Sequence, residues 1–216
     1  MSLARLLQLA SPTLPVGAYS YSGGLEAACE SGIVNDAASA ERWIGDVLEF
    51  SIARMEGPIL HSLIRCFSEN DAGEIEELNA RFLASRETAE LRAETVQMGY
   101  SMKRLFTDLG LGDVPLAEPS FPAAYAFAAS RWNVDPDAAL QAYLWAWLEN
   151  QVMAAVKAVP LGQTDGQRIL LSLGGLLPAL AEKAKNMNGQ EFGNFAPGLA
   201  MLSARHETQY SRLFRS

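Results

Sequence analysis

The sequence predicts an all-α fold, a single-domain bundle of roughly eight to ten helices. Three observations predict it. Apolar residues recur every three to four positions along most of the chain, no stretch alternates apolar with polar, and Pro, Gly and capping residues cut the chain into pieces of helical length. The 216 residues are 49% hydrophobic and 19% charged, a balance that supports one packed core. Residues 1–216 are therefore read as one domain, with residues 203–216 as its C-terminal tail.

Each element follows from local residues. Leu3, Leu6, Leu7 and Ala10 share one face of a first helix that Ser11-Pro12 stops. "SPTLPVGAYSYSGG" (Ser11–Gly24) is a loop, because its prolines fix the backbone and its glycines permit unusual dihedrals. A short helix runs through "LEAACES" to Gly32. Asn35 or Asp36 caps the next, in which Trp43, Ile44, Val47, Leu48, Ile52 and Met55 keep the helical period. Pro58 is expected to kink or restart it before Ile59, Leu63, Ile64 and Phe67. Residues 71–109 read as two helices, stopped by Gly110. Asp71, Glu74, Glu76 and Glu77 cluster where the first begins, as a helix dipole favours. After the linker "GLGDVPLAEPSFP" comes a helix with Tyr125, Phe127 and Trp132. Asp135-Pro136 opens a long apolar helix that Pro160 ends. Thr164 or Asp165 starts the next, and a last short helix precedes the tail.

Composition and motifs exclude several functions. A net charge of −8 gives little attraction for nucleic acid. Cys29 and Cys66 form no C-x-x-C or zinc spacing and read as reduced core thiols. "ILLSLGGLLPAL" is too short to span a bilayer, and "MSLARLLQLASP" lacks a signal-peptide pattern, so a soluble, cytoplasmic protein is expected. "HETQY" (His206–Tyr210) falls one histidine short of H-E-x-x-H, and His61 is remote in sequence. No G-x-S-x-G elbow accompanies His206, and "GQTDGQR" lacks the lysine of a phosphate loop. No catalytic or metal-binding residues are assigned.

The tail has an interface composition. It carries a charge of +2 against −10 for residues 1–202, and Arg and Tyr dominate interface hot spots. A solvated tail could not recover the entropy of ordering. Residues 206–216 are therefore expected to be poorly ordered until a partner binds, with Arg212 bonding that partner and Tyr210, Leu213 and Phe214 filling its groove. Docking on its own domain is the alternative. A rival from another class is a small helical enzyme or ligand-binding bundle, with Tyr143, Trp145 and Trp147 lining a pocket.

Three segments, in order, resemble the urease accessory protein UreF family: "LLQLASPTLPVGAYSYSGGLE" (Leu6–Glu26), "VKAVPLGQTDGQRIL" (Val156–Leu170) and "SARHETQYSRLFRS" (Ser203–Ser216). Ala18 and Gly23 depart from the pattern, which at these positions has Gly and a larger polar residue. The resemblance implies a non-catalytic scaffold, expected to be homodimeric. It would link a UreD/UreH-type accessory protein to the GTPase UreG for nickel insertion into apo-urease. It implies no cofactor bound by this chain, nickel being handled by the complex. Carried over by motif, Tyr19, Tyr21, Gly24, Glu26, Lys157, Pro160, Gly162 and Gln163 would face the GTPase. Arg205, His206, Glu207, Tyr210, Arg212, Leu213 and Phe214 would form the tail that meets the UreD/UreH-type partner.

Overall fold

A computed structural model describes residues 3–216, so the first two residues of "MSLARLLQLASP" lie outside it. Among the described residues every regular element is helical. The α-helices are α1 (Leu3–Ala10), α2 (Leu25–Glu30), α3 (Ala37–Val47), α4 (Gly57–Glu69), α5 (Ala72–Ala84), α6 (Ala89–Asp108), α7 (Phe121–Arg131), α8 (Pro136–Ala158), α9 (Gln163–Gly174), α10 (Leu177–Lys185) and α11 (Pro197–His206). A 3-10 turn spans Ala18–Ser20, and a π-helical stretch, Leu48–Glu56, joins α3 to α4 without a break. Counted as one rod, α3 to α4 leaves ten helices among the described residues, as expected.

Asp36 and Asp135 cap helices as the sequence predicts, and three further caps join them. Asp36 and Ser39 form a reciprocal capping box, and Asp71 accepts from the Glu74 N–H. Thr88, Ser120 and Asp135 cap α6, α7 and α8 in the same way. One start differs: α9 opens at Gln163 on an extended Gly162, ahead of Thr164 and Asp165. Asp165 pairs instead with Arg168 at 3.0 Å.

Pro58 restarts the rod, one of the two outcomes expected of it: it sits in the first turn of α4, where its missing N–H costs nothing. The irregularity precedes it, since Gly57 N–H donates to Ile52 O, a five-residue step. The wider turns leave carbonyls free for outside partners. Phe50 O accepts from Phe195 N–H at 3.3 Å and Arg54 O from Gly193 N–H at 3.2 Å. Ser51 Oγ meets Asn194 Oδ1 at 2.5 Å. The loop before α11 is thereby fixed to the rod.

The core centres on α7, buried from Pro122 to Ala129 between α4 and α6. Its alanines let the neighbours approach closely. At Gly99 of α6 a Cβ would stand 2.1 Å from Pro119 O, so only glycine fits there. Phe121, Tyr125 and Tyr143 stack with centroids 5.1–6.0 Å apart. The 23-residue α8 runs past α1, α2, α9 and α10.

Candidate functional site

The Ser11–Gly24 loop holds two tyrosines in opposite states. Left-handed backbone at Gly17, Gly23 and Gly24 turns the chain sharply. Tyr19 is left exposed, whereas Tyr21 is buried. The Tyr21 hydroxyl donates to Gln97 Oε1 at 2.6 Å, and its carbonyl accepts from Asn150 Nδ2 at 3.2 Å. Burial, above all, raises the Tyr21 pKa. Gly24 is buried too, with the Leu199 side chain where its Cβ would project.

Glu26, on the first turn of α2, is buried at 6% exposure. Its Oε1 accepts from the Leu213 N–H at 2.6 Å and its Oε2 from the Phe214 N–H at 2.9 Å. A buried charge needs such donors. His206 ends α11 fully buried, with Nε2 3.3 Å from Glu26 Oε2 and Nδ1 2.6 Å from Glu90 Oε2. Arg212 donates to Glu90 Oε1 at 2.6 Å and to the carbonyls of Gln209 and Glu207 at 2.9 and 2.5 Å. Glu207 Oε1 accepts from Ala89 N–H at 2.9 Å, at the start of α6.

The tail then closes against the N-terminal loop. Arg215 N–H donates to Ser20 O at 2.8 Å, and Ser22 donates through N–H and Oγ to Ser216 O at 2.9 and 2.5 Å. Ser216 Oγ donates to Glu94 Oε2 at 2.6 Å. Phe214 is buried with Lys157 Nζ 5.8 Å from its ring centre.

The expectation of a tail poorly ordered without a partner is therefore overturned. In the chain alone residues 207–216 lie on their own domain. The entropy of fixing them is offset by charge-assisted bonds to Glu26 and Glu90 and by burial of Phe214. Arg212 spends its donors inside the chain, and Phe214 fills the chain's own groove.

The predicted residues divide by exposure. Tyr19, Lys157, Pro160, Gly162 and Gln163 are exposed, while Tyr21, Gly24 and Glu26 are not. In the tail Arg205, Glu207, Tyr210, Arg212 and Leu213 are exposed, and His206 and Phe214 are buried. The two sets are adjacent, joined by Glu26 under the tail and Lys157 over Phe214. Sequence reasoning missed Glu90, Glu94 and Asn150. A signal existed for the first two, which lie four residues apart on one face of α6.

Tyr19 and Lys157 also border a cavity of about 370 Å³. Leu14, Ile52, Met98, Phe121 and Trp147 are among its apolar walls. Arg86 Nη1 pairs with Glu56 Oε1 at 3.0 Å, and Tyr143 donates to Glu56 Oε2 at 2.7 Å. Glu94, half-buried and facing the cavity, has its pKa pushed up to about 7, chiefly by desolvation. Desolvation raises Glu149 as well. Tyr143 and Trp147 line the cavity as the rival reading expected; Trp145 does not, and packs near Gly174.

Among the described residues no three His, Cys, Asp or Glu side chains converge to hold a metal ion. Both cysteines are free, and burial pushes the Cys29 thiol up to about 11. No described helix is long and apolar enough to cross a membrane.

A family model described as UreF matches residues 34–174. The urease accessory protein UreF of Azoarcus sp. (strain BH72) is 59% identical over 225 residues, covering 100% of this chain and 96% of that protein. The UreF of Dechloromonas aromatica (strain RCB) is 56% identical over 224 residues, covering 100% and 98%. That of Janthinobacterium sp. (strain Marseille) is 50% identical over 222 residues, with the same coverage. Likeness of this degree along the whole chain shows that it belongs to the UreF family of urease accessory proteins, which serve an enzyme and are not enzymes themselves.

Proposed function

We propose that this chain is a cytoplasmic scaffold for nickel insertion into apo-urease. Residues 203–216 join it to a UreD/UreH-type accessory protein. The surface of Tyr19, Lys157, Pro160, Gly162 and Gln163 receives the GTPase UreG and modulates it. The scaffold works as a homodimer, binds no cofactor of its own and leaves nickel to the complex.

The clasped tail is the observation that carries this reading. Its backbone is held by buried carboxylates while Tyr210, at 104% exposure, and Leu213, at 71%, face outward. An aromatic and an aliphatic anchor on a fixed segment suit a hot spot, and fixing them beforehand lowers the ordering cost of binding. Arg212 acts by holding this conformation. Tyr21 and Glu26, first placed on the GTPase surface, support it from beneath.

Co-purification tests the reading. Wild-type chain should retain the UreD/UreH-type protein and recruit the GTPase only when that protein is present. Tyr210→Ala with Leu213→Asp should abolish the first interaction without unfolding the chain. Retention of the UreD/UreH-type protein by the double variant would place that interface elsewhere.

A further inference from the structure

Where the tail closes on the N-terminal loop, the two segments and α6 enclose an open groove of about 480 Å³. Pro12, Pro15 and Tyr19 come from the loop, Gln97 from α6 and Arg215 from the tail. The groove is a product of the clasp, since the bond from Arg215 N–H to Ser20 O, at 2.8 Å, sets its two sides together.

Among the described residues Arg215 is the only charged one that lines this groove. Its side chain is exposed and joins no ion pair among those residues, whereas Arg212, three positions earlier, is paired with Glu90. The Arg215 guanidinium stands beside the Tyr21 hydroxyl, and that hydroxyl donates to Gln97 Oε1 at 2.6 Å. Glu94, the acid that acts on Tyr21, takes the Ser216 hydroxyl instead of Arg215. A phenol oxygen occupies only part of a guanidinium fork. The remaining Arg215 donors, the Gln97 Nε2 and the Tyr19 hydroxyl find no acceptor among the described residues. The groove therefore presents donors and one positive charge, which a carboxylate, an acceptor with two oxygens, complements.

Charge also says where such a group would go. Residues 1–202 sum to −10 and the tail to +2, so an acidic segment is repelled by most of the surface and drawn to the tail. An exposed ion pair contributes little by itself, so a free carboxylate would not stay. The rings of Pro12, Pro15 and Tyr19 supply apolar contact that a residue next to the acid can use.

We propose that this groove docks an extended acidic segment of a partner protein, its carboxylate on Arg215 and Gln97 and an apolar neighbour on Pro12, Pro15 and Tyr19. Arg215 reaches the groove only when the tail is docked, so the segment recognises the clasped chain and its binding strengthens the clasp. The groove shares Tyr19 with the surface assigned to the GTPase. Its binding is measured on this chain alone, so either reading can fail while the other stands.

Three capped peptides of one shape test the proposal: acetyl-Leu-Asp-Leu-amide and its Asn and Lys counterparts, with acetate as the free carboxylate. Each is titrated into the full chain at pH 7 and low salt, following the amide resonances of Gly17 and Ser20. The Asp peptide should bind saturably, at least fivefold more tightly than the other two peptides or acetate. Arg215→Gln, an exposed change that keeps the backbone bond to Ser20, should lower the Asp peptide to the level of the Asn peptide. Hydrogen exchange at the Leu213 and Phe214 amides should slow at least threefold when the Asp peptide is bound. No saturable Asp-peptide binding at millimolar concentration, equal binding of the Asn or Lys peptide, or full binding by Arg215→Gln would each overturn the site. Acetate binding as tightly as the Asp peptide would overturn a docked segment, and unchanged exchange in the tail would overturn recognition of the clasp.

Discussion

The tail at residues 207–216 and the turn at residues 159–163 are both irregular and both proposed to meet partners, yet they are held by opposite means. The turn is short and tethered at each end by a helix. Its own bonds are local, such as Leu161 N–H to Val159 O at 2.7 Å and Gly166 N–H to Gly162 O at 3.2 Å. The tail is tethered at one end only, so its conformation comes from groups far away in sequence: Ser20, Ser22, Glu26, Glu90 and Glu94. The difference teaches that substitutions in the turn should change recognition alone. Substitutions under the tail should change stability and recognition together.

The largest effect should come from Glu26→Ala. It strips two tail amides of their acceptor and removes the neighbour of His206 Nε2, at a cost of about 3–5 kcal/mol, since bonds to a charged group contribute about 1.5–3 kcal/mol each. Thermal melting should show a drop of roughly 6–20 °C at about 2–4 °C per kcal/mol, with loss of the UreD/UreH-type partner. An unchanged melting temperature would mean that the clasp contributes nothing to the fold.

Glu94→Gln comes next and depends on pH. Folding raises the Glu94 pKa from 4.5 to about 7, so between these values the folded chain holds more protons than the unfolded one. Stability from this group is therefore lost as pH rises through that window. Glu56 and Arg86 act on Glu94 through charge, and Ser216 donates to it. Gln keeps an acceptor for Ser216 and does not ionise. The variant should match wild type near pH 4.5 and exceed it at pH 8 by about 3–3.5 kcal/mol, as about 1.4 kcal/mol per pKa unit gives. Denaturant melts at the two pH values read this directly. A gap independent of pH would show that Glu94 does not titrate with folding.

Arg212→Ala should cost about 1–2 kcal/mol, because one partly exposed ion pair and two carbonyl bonds are lost. Arg212→Lys should recover only part of this, since one ammonium cannot reproduce the three-way fork. Full recovery by Lys would reduce the residue to a point charge. At the small end, Lys157→Ala or Gln163→Ala should move stability by about 0.5 kcal/mol or less, as exposed sites do, while weakening GTPase recruitment in pull-downs. Retained recruitment in both variants would remove the turn from the interface.

The helical class and most helix starts were legible because capping and apolar period are local signals. Asp36, Asp71, Thr88, Ser120 and Asp135 each act within three residues. The π-helical stretch was not legible: its apolar period resembles that of an α-helix, and its cause lies in the loop at residues 193–195, which takes up its spare carbonyl and hydroxyl groups. The candidate site was half legible. Sequence singled out the three segments but did not lay the tail on the N-terminal loop, and exposure within them is a tertiary matter. Tyr19 and Tyr21 are two residues apart and look alike, yet one is in water and the other lies beneath the loop. Glu26 read as a surface acid because nothing nearby announces the tail amides, some 190 positions on, that neutralise it.

The long reach of Ser22 to Ser216 bears on how the chain is made. Closing a segment across nearly the whole sequence is entropically slow and gains nothing until both ends exist. The helices whose contacts are nearer in sequence can pack during synthesis, and the clasp must wait for residue 216. A chain cut short before Phe214 would keep most of its core and the bonds of Arg212 and Leu213, yet lose the burial of Phe214 and the closure on Ser22. The arrangement of Tyr210 and Leu213 is thus among the last features of the fold to become fixed.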